Sequence, residues 1–395
     1  MNPDLQKLHP YPFQKLAALF REVEPDPAHR AISLTIGEPK HATPKFICDA
    51  LTANLDGLAN YPTTVGSDTL RGTIANWLST RYGIPQPDAK NQVLPVNGSR
   101  EALFAFAQAV IDRSQSDPVV VSPNPFYQIY EGAALLAGAT PHFLNTLPEN
   151  SFALDFAQLP EDIWRRTQLA YVCTPGNPTG RVMTLEEWKT LFAMSDRYGF
   201  VIASDECYSE IYFDTPPLGA LQAAQQLGRP DYKNLVVFSS LSKRSNVPGM
   251  RSGFVAGDAS VMEKFALYRT YHGSAMNPAI QAASIAAWNN ETHVVENRRL
   301  YAEKFSRVIE ILKPVLPVSM PDAGFYLWIR TPIPDTAFAQ ALYRDYNVTV
   351  LPGSYLARPA NGVNPGENFV RLALVAGTEE TLEAAQRIVR FVSTL

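Results

Sequence analysis

The sequence is poor in the residues that build metal and disulfide sites. It has three cysteines in 395 residues, Cys48, Cys173 and Cys207, and no C-x-x-C pair. So sparse and odd a set excludes a disulfide framework and fits a reducing compartment, so the expected location is cytoplasmic. Its six histidines are scattered, with no H-x-x-x-H or H-E-x-x-H pair, and no metal is expected. No apolar run approaches the ~18 residues a membrane helix needs, so no membrane partner is expected. The opening Met-Asn-Pro-Asp-Leu-Gln-Lys lacks the basic and then apolar pattern of a secretory signal. Basic charge is not in excess either. Lys and Arg total 34 against 38 Asp and Glu, a formal charge of −4, which argues against nucleic acid or an anionic membrane as the main partner.

What is present describes a globular chain. Hydrophobic residues make up 46% and charged residues 18%. The length suggests two domains, or one large α/β unit with an appendage. A chain this long buries roughly three quarters of its unfolded surface and needs no covalent staple. Proline is the one excess, 32 residues where usage of ~5% would give far fewer. Without low complexity, that means many fixed turns.

From about residue 90 to 260, short apolar runs alternate with helical patterns. The strand candidates are 92–96, 119–122, 169–173, 200–204, 235–239 and 254–256, and the helix candidates between them include 100–112 and 185–198. Near-continuous apolar strands alternating with helices predict βαβ units and a mostly parallel sheet buried on both faces. After about residue 290 the pattern becomes α+β, with helices expected over 296–312 and 380–393 and strands over 325–329, 349–351 and 370–374. The expected organisation is an N-terminal arm over 1–30 packing with the small domain, a large domain over 31–289 and a small C-terminal domain over 290–395. A hinge is expected within 277–288.

In such sheets ligands bind beyond the carboxyl ends of the strands. The loops there are Asn97-Gly-Ser-Arg-Glu-Ala-Leu, Ser122-Pro-Asn-Pro-Phe-Tyr, Cys173-Thr-Pro-Gly-Asn-Pro-Thr-Gly, Ser204-Asp-Glu-Cys-Tyr and Ser239-Ser-Leu-Ser-Lys-Arg. Taken singly, each has an ordinary structural reading: a turn, a helix cap, a solvated lysine. Lys243 lies between small hydroxyl residues, and Arg251 follows eight residues on. A lysine, two hydroxyls and an arginine at a strand end suit a phosphorylated carbonyl cofactor, the lysine bonding covalently and the rest taking the phosphate. Gly98 ends a strand just before a helix, where N–H groups are free for a phosphate. Asp205 could pair with a protonated ring nitrogen, and Tyr208, on a shared helical face, could reach a ring hydroxyl together with Asn177. Cys207, between Glu206 and Tyr208, reads as packing rather than as a nucleophile.

The order Asn177, Asp205, Tyr208, Lys243, Arg251 and Arg371 resembles that of the class I/II, fold-type I pyridoxal-phosphate aminotransferases, over nearly the whole chain from Ile36-Gly37-Glu38-Pro39 onward. The resemblance implies a mostly parallel seven-stranded sheet between helices plus a smaller α+β domain, with pyridoxal 5′-phosphate as cofactor. It implies that Lys243 carries the cofactor and acts as acid and base, with Asp205 and Tyr208 in catalytic support. Tyr127 would stack on the ring. Ser99 and Arg100, through backbone groups, with Ser240, Ser242 and Arg251, would form the phosphate cup. Tyr61 would reach the cofactor of a neighbouring subunit, which implies a homodimer with shared active sites. Gly37, Asn177 and Arg371 would hold the substrate, Arg371 by its α-carboxylate. The pattern departs at Ser252, where the family has alanine or an aliphatic residue, and only local packing should change.

Leu8-His-Pro-Tyr-Pro-Phe, Ser242-Lys-Arg-Ser-Asn-Val-Pro-Gly-Met-Arg-Ser-Gly and Val350-Leu-Pro-Gly-Ser-Tyr look more like bacterial succinyldiaminopimelate aminotransferases. These act in lysine and diaminopimelate synthesis with 2-oxoglutarate. Aspartate or aromatic aminotransferases and carbon–sulfur β-lyases share most of these residues and remain alternatives. A regulator with this domain would need an additional basic DNA-binding module, and the arm is too short for one. Distal-carboxylate contacts are expected from Arg358, Arg21 or Lys15. Among the prolines near these loops, Asn177-Pro178 and Ser122-Pro123 are the first candidates for cis bonds.

Overall fold

Twelve strands form three sheets in a computed structural model that describes residues 1–395. In chain order they are β1 (Ile32–Ser33), β2 (Val93–Val96), β3 (Val119–Asn124), β4 (Thr140–Asn145), β5 (Thr167–Cys173), β6 (Val201–Asp205), β7 (Leu235–Ser240), β8 (Gly253–Gly257), β9 (Tyr326–Arg330), β10 (Val348–Thr349), β11 (Leu351–Pro352) and β12 (Phe369–Ala373). The largest sheet has seven strands, ordered β2-β8-β7-β6-β5-β3-β4. β3 to β7 run parallel, and β8 is antiparallel to both β2 and β7. This is the mostly parallel α/β sheet that was expected.

Both of its faces are buried. Along β7, Leu235 and Val237 enter one core with Val121, Ala170 and Ile202, while Val236 and Phe238 enter another with Val120, Leu169 and Ala203. That split explains why these strands read as unbroken apolar runs. β4 has no counterpart among the runs because Thr-Pro-His-Phe-Leu-Asn is half polar. It sits at the sheet edge, where Pro141 and its missing N–H are tolerated.

Helix ends follow local chemistry. Helix Leu185–Tyr198 opens on a capping box, with Thr184 Oγ1 accepting from the Glu187 N–H (3.3 Å) and Glu187 Oε2 accepting from the Thr184 N–H (2.8 Å). It stops at Gly199, whose φ of 81° is the left-handed cap.

A three-stranded antiparallel sheet, ordered β11-β12-β9, forms a third core with helices Thr292–Leu312 and Thr378–Val392. β1 pairs in parallel with β10, so Ile32 and Leu34 belong to this core. The N-terminal helix Pro12–Phe20 lies against the same part of the chain: Leu16 packs on Leu351 and Leu356, and Phe20 stacks on Tyr343 at 4.4 Å. Where a hinge was expected there is a continuous helix, Pro278–Trp288, followed closely by Thr292–Leu312. Three proline bonds are cis: Asn124-Pro125, Thr174-Pro175 and Asn177-Pro178. Ser122-Pro123 is not among them. No helix is long and apolar enough to cross a membrane.

Candidate active site

The carboxyl ends of β3, β5, β6 and β7 open onto one cavity of ≈ 440 Å³. It is lined by Gly37, Ser99, Arg100, Tyr127, Asn177, Asp205, Tyr208, Ser240, Ser242, Lys243, Arg251 and Arg371. Of the residues expected to hold the cofactor and the substrate α-carboxylate, this brings together all except Tyr61, which projects fully into solvent.

One end of the cavity is built for an anion. Gly98, at φ +84°, caps helix Ser99–Val110 with no side-chain acceptor, which leaves its first N–H groups free. A Cβ on Gly98 would run into the Arg251 guanidinium, so only glycine leaves this room. Ser240 Oγ accepts from the Ser242 N–H (3.1 Å) and donates to Ser242 Oγ (2.9 Å). Arg251 Nη1 donates to the Pro248 carbonyl (2.9 Å). Ser252 is buried, and its hydroxyl meets that of Ser284 at 2.7 Å, a packing contact away from the cavity.

Asp205 lines the same cavity. It is buried, and burial raises its pKa. Its partners are the Tyr130 hydroxyl (2.7 Å to Oδ2) and the Cys207 N–H (3.3 Å to Oδ1), and no cationic side chain pairs with it. Tyr130 was not singled out from the sequence. Its ring stacks on Tyr171 at 4.7 Å inside the core, so its spacing reads as packing alone. Residues 206–211 form hydrogen-bonded turns and not the helix that was expected to align Asp205 with Tyr208. Tyr208 still faces the cavity, its hydroxyl 3.2 Å from that of Tyr326, a second residue the sequence did not reveal. Cys207 also lines the cavity. Its thiol donates to Ser99 Oγ (3.0 Å), and burial pushes its pKa well up, which keeps it protonated and a poor nucleophile.

Lys243 and Arg371 both line the cavity. Lys243 Nζ donates to the Gly37 carbonyl (2.6 Å). Burial, with Arg371, Arg100 and Arg251 adding repulsion, lowers its pKa to about 8. Arg371 projects from β12, donating from Nη1 to Asn177 Oδ1 (2.9 Å) and from Nη2 to the Thr35 carbonyl (2.8 Å), while its buried Nε has no partner. Arg100 Nε donates to the Tyr127 hydroxyl (2.6 Å). None of these four cations forms an ion pair within the chain, and the only carboxylates lining the cavity are Asp205 and Glu38.

Three candidates for a distal-carboxylate contact do not reach the cavity. Arg358 is held by Glu131 through two bonds (2.9 and 2.6 Å) with both side chains largely buried, and its charge is already matched. Lys15 lies over the Tyr355 ring, and Arg21 is exposed.

Pyridoxal phosphate fits this chemistry. A buried carboxylate without a cationic partner suits a protonated pyridine nitrogen. The glycine-opened cup beside Arg251 suits a phosphate. Comparison with known proteins agrees. Residues 30–388 match the family "Aminotransferase class I and II". The LL-diaminopimelate aminotransferase of Aquifex aeolicus (strain VF5) is 32% identical over 392 residues, covering 97% of each chain. A crystal structure of an aminotransferase from Neisseria meningitidis Z2491 superposes with a TM-score of 0.97 at 54% identity, covering 99% of this chain and 100% of that one. The structure described as "probable N-succinyldiaminopimelate aminotransferase" from Thermus thermophilus gives 0.84 at 25% identity, covering 96% and 99%. Fold, site chemistry and these matches lead to one conclusion: the chain belongs to the class I and II aminotransferases, enzymes of this fold that work with pyridoxal phosphate.

Proposed function

We propose that this enzyme moves the amino group of a diaminopimelate-type donor to 2-oxoglutarate, the donor being the N-succinyl-LL form. The observation that carries the reading is the set of four unpaired cations around one cavity, more than a phosphate and one carboxylate need. Arg251, Ser99, Ser240, Ser242 and the N–H groups of Ser99 and Arg100 would hold the phosphate, and Arg371 would take the substrate α-carboxylate. That leaves the Arg100 guanidinium, beside Tyr127, for a distal carboxylate, in place of Arg358. A second reading, the free LL-diaminopimelate donor, is favoured by the Aquifex relative that carries this name at 32% identity.

The cofactor supplies an electron sink for the negative charge left on the substrate Cα. Asp205 would hold the ring nitrogen protonated, Tyr127 would cover the ring, and Asn177 and Tyr208 would hydrogen-bond its oxygen. Arg371 fixes the carboxylate with donors already oriented by Asn177 and Thr35, so the Cα–H bond is presented in one geometry. Lys243, with a pKa of about 8, has a usable fraction of free amine near neutrality and moves the proton at that carbon.

We also read the chain as a homodimer. Tyr61 lies outside its own cavity, near the exposed Leu55 and Leu58, a surface suited to a second copy. The division into an arm (1–30), a large domain (31–289) and a small domain (290–395) that closes over substrate belongs to the same proposal.

The test is a half-reaction panel on the purified holoenzyme, following cofactor absorbance. N-succinyl-LL-diaminopimelate should react faster than LL-diaminopimelate, aspartate or phenylalanine, and glutamate should form on adding 2-oxoglutarate. Release of pyruvate and ammonia instead would overturn the reading. Arg100→Gln should slow donors that carry a distal carboxylate and leave alanine unchanged.

A further inference from the structure

Outside the cavity, one buried cation has no acid to balance it. Lys304, on helix Thr292–Leu312, is fully inaccessible to solvent. Its Nζ donates to the Leu374 carbonyl (3.1 Å) and to the Ala376 carbonyl, and lies 3.1 Å from His41 Nε2. These three acceptors use all three protons of an ammonium group. No carboxylate bonds to it, and the Tyr301 ring lies beneath it at 5.1 Å. Burying a lysine without an acid is costly and needs a compensating role.

The bonds have a direction. With Nε2 accepting from Lys304, His41 carries its proton on Nδ1, and that nitrogen lies 2.8 Å from Asn297 Oδ1. Burial lowers the His41 pKa, so the ring is neutral and able to accept. Asn297 Oδ1 also accepts from Asn246 Nδ2 (3.1 Å), which turns the Asn297 amide nitrogen toward the Lys243 carbonyl (3.5 Å). The chain thus runs from Lys304 through His41 and Asn297 to the backbone of Lys243.

Its anchor points are the segments that carry the site. His41 lies four residues after Gly37, whose carbonyl receives Lys243 Nζ. Leu374 lies three residues after Arg371, just past the end of β12. Lys304 therefore ties the Gly37 loop and the Arg371 strand, which both adjoin the small-sheet core, to the Lys243 turn, which follows Leu241 of the first core.

We infer that Lys304, acting through His41 and Asn297, is a positioning residue that sets the distance between Arg371 and Lys243 and so governs substrate-carboxylate affinity. This rests on the roles proposed above for Lys243 and Arg371. An ångström of displacement between a clamp and a reacting group is worth up to about a hundredfold in rate, and the expected effect falls mainly on binding.

The experiment uses the holoenzyme of wild type, Lys304→Met, His41→Gln and His41→Phe. KM and kcat are measured with 2-oxoglutarate, and the affinity for glutarate, an unreactive dicarboxylate, is measured by calorimetry. Lys304→Met and His41→Phe should each weaken glutarate binding and raise KM about tenfold, with kcat changed much less. His41→Gln, which can accept from Lys304 and donate to Asn297, should restore most of the affinity. In wild type, ¹⁵N NMR should show His41 protonated on Nδ1, and Lys304→Met should lose that preference. A purely structural role would lower the melting temperature and leave KM and glutarate affinity at the wild-type values, and that result would overturn the inference. Should Lys304→Met not fold, the contrast between His41→Gln and His41→Phe decides alone: equal glutarate affinities would overturn it. Wild-type protein that neither transaminates nor binds glutarate would instead refute the proposed function.

Discussion

Tyr130→Phe isolates the support of Asp205. The substitution keeps a buried ring stacked on Tyr171 and removes one hydroxyl, 2.7 Å from Asp205 Oδ2. Only the longer bond from the Cys207 N–H, 3.3 Å, then remains on that carboxylate. Burial already raises the Asp205 pKa, and the tyrosine hydroxyl is among the groups that hold it down. Deleting a donor to the ionised form favours protonation, and a protonated Asp205 cannot hold a cationic ring nitrogen. A hydrogen bond to a charged group is worth about 1.5–3 kcal/mol, so cofactor affinity should fall by about one to two powers of ten. The sign fixes the pH dependence. The loss should deepen as pH falls, because the weakened carboxylate takes up a proton sooner. The assay is absorbance titration of apoenzyme with pyridoxal phosphate from pH 6 to 8, with thermal melting as a control on folding. Affinity equal to wild type across that range would refute the role given to both Tyr130 and Asp205.

Two further outcomes follow from charges placed elsewhere. Arg358→Ala leaves Glu131 buried beside only the partly exposed His9, so stability should fall by about 3 kcal/mol in denaturant unfolding while KM for 2-oxoglutarate stays unchanged. A raised KM with wild-type stability would return Arg358 to the substrate site. In the apoenzyme, burial disfavours the charged form of Lys243, so its proton leaves near pH 8. Acylation of that residue by a small amine-reactive ester, mapped by peptide mass, should be half-maximal there, and a midpoint in the ordinary lysine range would contradict the burial argument.

How far the sequence could be read depended on how local each signal was. The β3, β5, β6 and β7 runs are buried on both faces and announce themselves. The loops at their carboxyl ends carry Asn177, Asp205 and Lys243, so topology and chemistry pointed to the same edge. Long-range partners were invisible. Tyr130 meets Asp205 across 75 residues, and on an apolar helix it looks like core. Lys304 stands in a helix rich in surface charge, where nothing in its neighbours reveals that it is buried. Arg358 looked free because Glu131, 227 residues away, gives no sign in the sequence. Asp205 ends β6 and Tyr208 lies in the turn that follows, a spacing that also suits a helix, and only the backbone distinguishes the two.

The central claim is that Lys243 carries the cofactor. Purified holoenzyme treated with borohydride and digested should yield a single phosphopyridoxyl-modified peptide, centred on Ser242-Lys243-Arg244, and Lys243→Ala should yield none. Modification at another lysine, or a fully active Lys243→Ala enzyme, would contradict the account.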